Sequence, residues 1–127
     1  MHVVKAANGE SDFADGALAP EEHAYFHPGE MFGSINFGPA TKVQLVSGPA
    51  NVTLPFHASL GYEMFLTIQG GSTVILPDGR ERAVGPGTLV VMEDMGSRHG
   101  HAGRTGPCGY VSLQIVATTP LAQGAAR

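Results

Sequence analysis

Short apolar runs separated by glycine and proline make up most of the chain. In KVQLV, Val43 and Leu45 alternate with Lys42 and Gln44, and this period of two indicates a strand with one buried face. Comparable runs lie at 32–37, 51–56, 62–69, 72–76, 88–92 and 110–117. Short strands at this spacing, with turn residues between them, predict an all-β barrel or sandwich.

The turns between these runs have recognisable sequences. Gly70-Gly71 is expected to break the run YEMFLTIQ before STVIL continues, and Asp78-Gly79 is the strongest hairpin signal in the chain. In YEMFLTIQ, one face carries Glu63, Phe65, Thr67 and Gln69, and the other carries Met64, Leu66 and Ile68. The polar stretch EDMGSRHGH is expected to be a loop in which Glu93 and Asp94 are solvated charges; the alternative is that one of them hydrogen-bonds His99 and fixes its tautomer.

Length and composition narrow the possible partners. The 127 residues are enough for one domain, and the net charge of −4, with few and scattered cations, argues against nucleic acid. No apolar run is long enough to cross a membrane, and the N-terminus lacks the pattern of a secretory signal, so a cytoplasmic protein is expected. The single cysteine, Cys108, fits a reducing compartment and is expected to be buried at the start of a strand.

The chain is expected to divide into an N-terminal arm (1–30), a barrel (31–120) and a C-terminal tail (121–127). The arm is rich in Asn, Gly, Asp and Ser and has few large apolar residues. It is therefore expected either to lie on the barrel or to pair with a neighbouring subunit.

Two motifs resemble those of the cupin superfamily. His57, Glu63 and Gly70 have the spacing of the first cupin motif, and Gly85-Pro86-Gly87, TLVVM, Gly96 and His99 match the second. The resemblance implies a double-stranded β-helix (jelly-roll, cupin) barrel, a homodimer that pairs through its N-terminal strands, and a site in the barrel mouth. Metal-binding cupins carry His-X-His, whereas Ser59 stands here in place of the second histidine.

The resemblance leaves two kinds of chemistry open. His57, Glu63 and His99, with His101 as a fourth candidate, could bind a divalent Fe, Mn, Ni or Zn ion weakly. Without an ion, Glu63 beside a histidine is a general acid/base pair for proton transfer. Substrate would then contact the following residues: Ser59, Tyr62, Phe56, Phe65 and Met92.

The sequence therefore predicts an enzyme of the isomerase, lyase/dehydratase or cyclase type, acting on a small, rather apolar carbonyl compound. Its catalytic residues are expected to be Glu63, His99 and His57. Three alternatives are a non-catalytic ligand-binding or sensor cupin, a metal-dependent oxygenase, and a purely structural partner protein. The sequence does not single out a substrate or a pathway.

Overall fold

A computed structural model describes residues 1–18, 21–23, 32–120 and 125–126. These residues form strands and no helix, so no helix among them could span a membrane. The strands are β1 His2–Lys5, β2 Ser11–Phe13, β3 Ala17–Leu18, β4 Glu21–His23, β5 Phe32–Ser34, β6 Ala40–Gly48, β7 Thr53–His57, β8 Tyr62–Ile75, β9 Glu81–Val84, β10 Leu89–Glu93, β11 His101–Ala117 and β12 Ala125–Ala126.

Two long strands, β8 and β11, join the two walls of the molecule. The first half of β8 pairs with β10 and with the second half of β11, and this wall continues on either side in the order β2-β1-β10-β8-β11-β6. The second half of β8 pairs with β9 and with the first half of β11, which also pairs with β7. The result is an all-β jelly-roll, as predicted from the sequence.

Gly70 and Gly109 lie where β8 and β11 pass from one wall to the other. Both have a φ of +68°, and the register between the two strands shifts between Thr105 and Tyr110. A Cβ on Gly70 would lie 2.0 Å from the carbonyl oxygen of Gly109. The break expected at Gly70-Gly71 is therefore a bend, after which β8 continues to Ile75. In the same irregular stretch Cys108 is exposed, so the prediction that it is buried is wrong.

The hairpin expected at Asp78-Gly79 is present between β8 and β9. Gly79 has a φ of +92°, and the backbone N–H of Arg80 donates a hydrogen bond of 3.0 Å to Asp78 Oδ1. The aspartate closes the turn while the glycine adopts the left-handed conformation, which explains why this dipeptide predicts a hairpin.

The core lies between the walls and in a second cluster at the other face of β8. The first cluster contains Val3, Val74, Val84, Val90 and Met92. The second contains Met64, Val91 and Ala117. Successive side chains of β10 alternate between the two clusters, with Val90 and Met92 in the first and Val91 in the second, so both faces of this strand are buried.

The outer side of β6 departs from the expected burial. Val43 and Leu45 alternate with Lys42 and Gln44 as predicted, but they are 61% and 67% exposed. In the part of the chain that the structure describes, β6 is the last strand of its sheet, and its apolar side faces outwards. Exposed apolar patches of this kind are often covered by partner proteins. The expected homodimer stays a prediction.

The start of the N-terminal arm lies on the barrel of its own chain. β1 pairs in parallel with β10, and β2 pairs antiparallel with β1. Of the remaining arm and tail, residues 19–20, 24–30, 121–124 and 127 lie outside the described residues, and β3 pairs with β12. The three expected segments, 1–30, 31–120 and 121–127, stay a prediction.

Candidate functional site

A pocket of about 130 Å³ opens between the two walls and is continuous with solvent. Its apolar lining includes Phe65, Val74, Val84, Val90 and Met92. Titratable side chains also line it: His57, Glu63, His101, Arg104 and Tyr110.

His57 and His101 meet because β7 and β11 are paired at these two residues. The preceding Gly100 has a φ of +74°, and a Cβ there would lie 2.0 Å from the carbonyl oxygen of His57. Only glycine allows this close approach of the two backbones. It brings the two imidazole ring centroids to 4.7 Å, with 57° between the ring planes.

Glu63 reaches the pocket from β8. It lies opposite Met92 of β10 and Val116 of β11, on the same face of β8 as Phe65 and Thr67. Burial raises the pKa of Glu63, and the nearby His101 and His57 lower it by less. The carboxyl group therefore keeps its proton to a higher pH than an exposed glutamate does.

Beside the pocket, Asp94 is fully buried and accepts four hydrogen bonds. Its Oδ2 accepts from Ser11 Oγ at 2.5 Å and from His101 Nδ1 at 2.6 Å. Its Oδ1 accepts from Ser59 N at 3.1 Å and from Ser59 Oγ at 2.7 Å. Ser97 Oγ lies 2.8 Å from Ser11 Oγ. Because the Ser11 hydroxyl hydrogen points to Asp94, Ser97 donates to Ser11.

The expectation that Glu93 and Asp94 are solvated loop charges is wrong. Burial raises the pKa of Asp94, but the hydrogen bonds from His101 and Ser11 outweigh burial, and the pKa lies well below its usual range. Asp94 is thus an ionised carboxylate inside the protein. Glu93 is largely buried as well, and its Oε1 lies 3.2 Å from His2 Nε2.

His99 does not lie where the sequence predicted. It is not among the residues that line the pocket; its Nδ1 lies 2.9 Å from Glu10 Oε1, and 61% of its side chain is exposed. Residues two apart share a face only in extended chain, and the positive φ of Gly100 interrupts that conformation. The prediction that His99 joins His57 and Glu63 in the barrel mouth is wrong, and His101 lies there instead.

The residues expected to contact substrate divide into two groups. Phe65 and Met92 line the pocket. Ser59, Tyr62 and Phe56 are not among the lining residues. Ser59 is bonded to Asp94, Tyr62 packs against the second core cluster, and Phe56 is 49% exposed.

Sequence reasoning missed Asp94 and Ser11 as parts of the site. Their partners lie far along the chain: Ser11 is 83 positions from Asp94, and Ser59 is 35 positions from it. The only local signal was that Glu93 and Asp94 precede two histidines by a few positions. This spacing suggests that a carboxylate contacts a histidine, but it does not show which pair forms.

The donors present do not fit the divalent ion that the resemblance implies. Such an ion needs nitrogen and oxygen ligands that converge to about 2.0–2.2 Å from one point. Among the residues that the structure describes, no group of three or more His, Cys, Asp or Glu side chains is arranged to hold a metal ion. Of the expected ligands, His57, Glu63 and His101 share the pocket, while His99 is bound to Glu10. We therefore derive no step through a metal.

Comparisons with known proteins give structural likenesses only. No family model matches the chain, and no curated protein matches its sequence. A protein of Neisseria meningitidis superimposes with a TM-score of 0.45 at 15% identity, over 82% of this chain and 89% of that one. A conserved protein of unknown function from Streptococcus pyogenes gives 0.43 at 13% identity, over 84% and 99%. A cupin superfamily protein of Desulfitobacterium hafniense gives 0.48 at 16% identity, over 84% and 100%, so a cupin is among the solved structures that this chain resembles.

Proposed function

We propose that this protein is a metal-independent enzyme that transfers protons on a small, rather apolar carbonyl compound, as an isomerase, lyase or cyclase does. The observation that carries the proposal is that Glu63 and His101 line one pocket whose other walls are mainly apolar. A carboxyl group and an imidazole in such surroundings form a general acid/base pair.

The two groups suit opposite halves of a proton transfer. Glu63, with a pKa raised by burial, supplies a proton at a pH where an exposed glutamate is ionised. His101 uses Nδ1 for Asp94, which leaves Nε2 as the ring nitrogen available to a bound molecule. His57 donates from Nδ1 to the carbonyl oxygen of Pro55 at 2.7 Å, and its ring packs beside that of His101.

In the proposed step, His101 Nε2 removes a proton from the carbon next to the carbonyl group of the substrate. The C–H bonding pair forms the C=C bond of an enol, and the π pair of the carbonyl group moves to oxygen. Oxygen then takes the proton of the Glu63 carboxyl group. Transfer of the proton from His101 to a different carbon, or to a departing leaving group, completes an isomerisation or an elimination, and the enol hydroxyl returns its proton to Glu63 as the carbonyl group re-forms.

Deuterium exchange tests this step even though the natural substrate is unidentified. Acetophenone, phenylacetaldehyde and cyclohexanone are incubated with the protein in D₂O, and loss of the α-proton signal is followed by NMR. Wild-type protein is expected to exchange at least one probe faster than buffer does. Glu63→Gln and His101→Ala are expected to slow that exchange by about 10²–10⁴-fold, the usual contribution of a general acid or base.

Glu10→Gln is the matched control, because it makes the same carboxyl-to-amide change at a partly buried site that is not part of the pocket lining. Equal exchange by wild type and Glu63→Gln would contradict the proposal. Binding of a probe without exchange would contradict it too, and would favour the ligand-binding alternative.

Weak binding of a divalent ion stays a prediction of the sequence. Elemental analysis of protein purified without a His tag, followed by the exchange assay after dialysis against EDTA, tests it. Exchange that disappears on chelation and returns with Fe, Mn, Ni or Zn would contradict a metal-independent mechanism.

A further inference from the structure

We propose that Asp94 is a positioning residue that holds His101 in the tautomer with hydrogen on Nδ1, so that Nε2 presents a lone pair to the pocket. The inference rests on the proposed function, because it explains how His101 becomes a proton acceptor. It also assigns a role in the site to the N-terminal strand β2, which supplies Ser11.

The hydrogen bonds around Asp94 have only one consistent direction. An ionised carboxylate accepts hydrogen bonds and cannot donate them. The His101 Nδ1 atom lies 2.6 Å from Asp94 Oδ2 and must therefore carry a hydrogen. A neutral imidazole carries one hydrogen, so Nε2 is left with a lone pair. The tautomer thus follows from the charge of Asp94.

The rest of the network keeps this carboxylate ionised and in place. Four donor groups, two on each oxygen, fill its acceptor positions. They belong to three residues that lie far apart in the sequence: Ser11, Ser59 and His101. Ser11 is itself bonded to Ser97, which ties β2 to the loop before His101. A fully satisfied buried network of this kind holds its members rigidly.

The variant Asp94→Asn should reverse the tautomer. The backbone N–H of Ser59 can only donate, so the oxygen of the new amide must stay on the Ser59 side. The amide NH₂ then faces Ser11 and His101. The Ser11 hydroxyl can rotate to accept, but His101 Nδ1 can accept only if the ring hydrogen moves to Nε2. The pocket would then face a donor in place of an acceptor, and proton abstraction would fail.

Long-range ¹H–¹⁵N correlation spectra of protein labelled at histidine measure the tautomer directly, with no substrate present. At a pH at which the ring is neutral, wild-type His101 is expected to have hydrogen on Nδ1 and none on Nε2. Asp94→Asn is expected to show the opposite pattern at His101, together with a loss of α-proton exchange of about 10²–10⁴-fold.

Three further variants separate positioning from general structural damage. Glu10→Gln makes the same carboxyl-to-amide change beside His99, and it should leave the spectrum of His101 and the exchange rate unchanged. Ser11→Ala removes one donor but keeps the carboxylate, so the tautomer should stay and the Nδ1 hydrogen signal should move. Ser112→Ala removes another buried hydroxyl, which bonds to none of the described residues, and should move neither.

A wild-type His101 that carries its hydrogen on Nε2 would overturn the inference even if Asp94→Asn does not fold. Unchanged tautomer in a folded Asp94→Asn would overturn it as well. These readouts are independent of the enzyme proposal, which instead fails if no probe exchanges or if Glu63→Gln and His101→Ala exchange normally.

Discussion

His99 and His101 lie only two residues apart on the chain, and each contacts a carboxylate, but the two histidine–carboxylate pairs have opposite surroundings. In both, the histidine Nδ1 contacts a carboxylate oxygen, at 2.6 Å for His101 and Asp94 and at 2.9 Å for His99 and Glu10. The first pair is 8% and 0% exposed, and the second is 61% and 20% exposed.

The contrast shows that contact geometry alone does not measure what an interaction contributes. An exposed ion pair stabilises a protein by about 0–1 kcal/mol, because water solvates both partners well when they separate. A buried carboxylate has no such alternative, and its partners would be left without an acceptor inside the protein. The buried pair should therefore matter for both stability and chemistry, and the exposed pair for neither.

The largest expected effect comes from removing the buried carboxylate. Asp94→Ala leaves His101, Ser11 and Ser59 without their acceptor and should lower the free energy of unfolding by about 3–5 kcal/mol. Glu10→Ala, the matched change in the exposed pair, should cost less than about 1 kcal/mol. Urea unfolding at pH 7 measures both, and similar values for the two variants would show that burial does not distinguish the pairs.

Acid should reduce the contribution of Asp94 to the free energy of unfolding. The pKa of Asp94 is below its ordinary value of 3.8, so its charge stabilises the fold above that pH. The contribution is lost as the pH falls through the pKa of the folded state. The difference between wild type and Asp94→Ala should therefore narrow as the pH falls below about 4. A difference that stays constant down to pH 2 would contradict the role given to the charge.

The alternation of apolar residues and the turn sequences were sufficient to predict an all-β barrel or sandwich, and the resemblance to cupins implied the jelly-roll. The strand of KVQLV, the hairpin at Asp78-Gly79 and the pocket positions of Phe65 and Met92 follow from local rules. The sequence also indicated a break at Gly70-Gly71, but it did not show whether the strand would end or bend there, because glycine permits both.

The site was predicted only in part, for reasons that are also physical. His57 and Glu63 were identified because their spacing matches a motif and each lies on a regular strand. The choice between His99 and His101 depends on the backbone conformation of Gly100, which the residue type leaves open. The role of Asp94 could not be predicted, because its partners Ser11 and Ser59 come close to it only in the folded chain.

A second carboxyl group sharpens the comparison, because its pKa moves in the opposite direction. Burial raises the pKa of Glu63 above its ordinary value of 4.5, so ionising this group costs more in the folded than in the unfolded chain. The cost is absent below pH 4.5 and grows as the pH rises through the pKa of the folded state. Glu63→Gln should therefore be as stable as wild type at pH 4 and more stable at pH 8.

Thermal unfolding of wild type and Glu63→Gln at the two pH values measures this difference. A variant that is more stable but slower in α-proton exchange would show that Glu63 is kept for chemistry at the expense of stability. Glu81→Gln is a suitable control, because the Arg104 hydrogen bonds lower the pKa of this exposed carboxyl group and the opposite sign is expected. A Glu63→Gln variant that is less stable than wild type at pH 8 would contradict a raised pKa of Glu63 in the folded chain.

The smallest expected effect is at the histidine that the sequence favoured. His99→Ala removes an exposed side chain whose one described partner is Glu10, so the free energy of unfolding should change by less than about 0.5 kcal/mol. Exchange of the α-proton should stay at the wild-type rate, because the ring is outside the pocket. Urea unfolding and the exchange assay measure the two effects. A large loss of exchange in His99→Ala with the fold intact would restore the sequence-based assignment, and it would mean that the loop carrying His99 moves into the pocket when substrate binds.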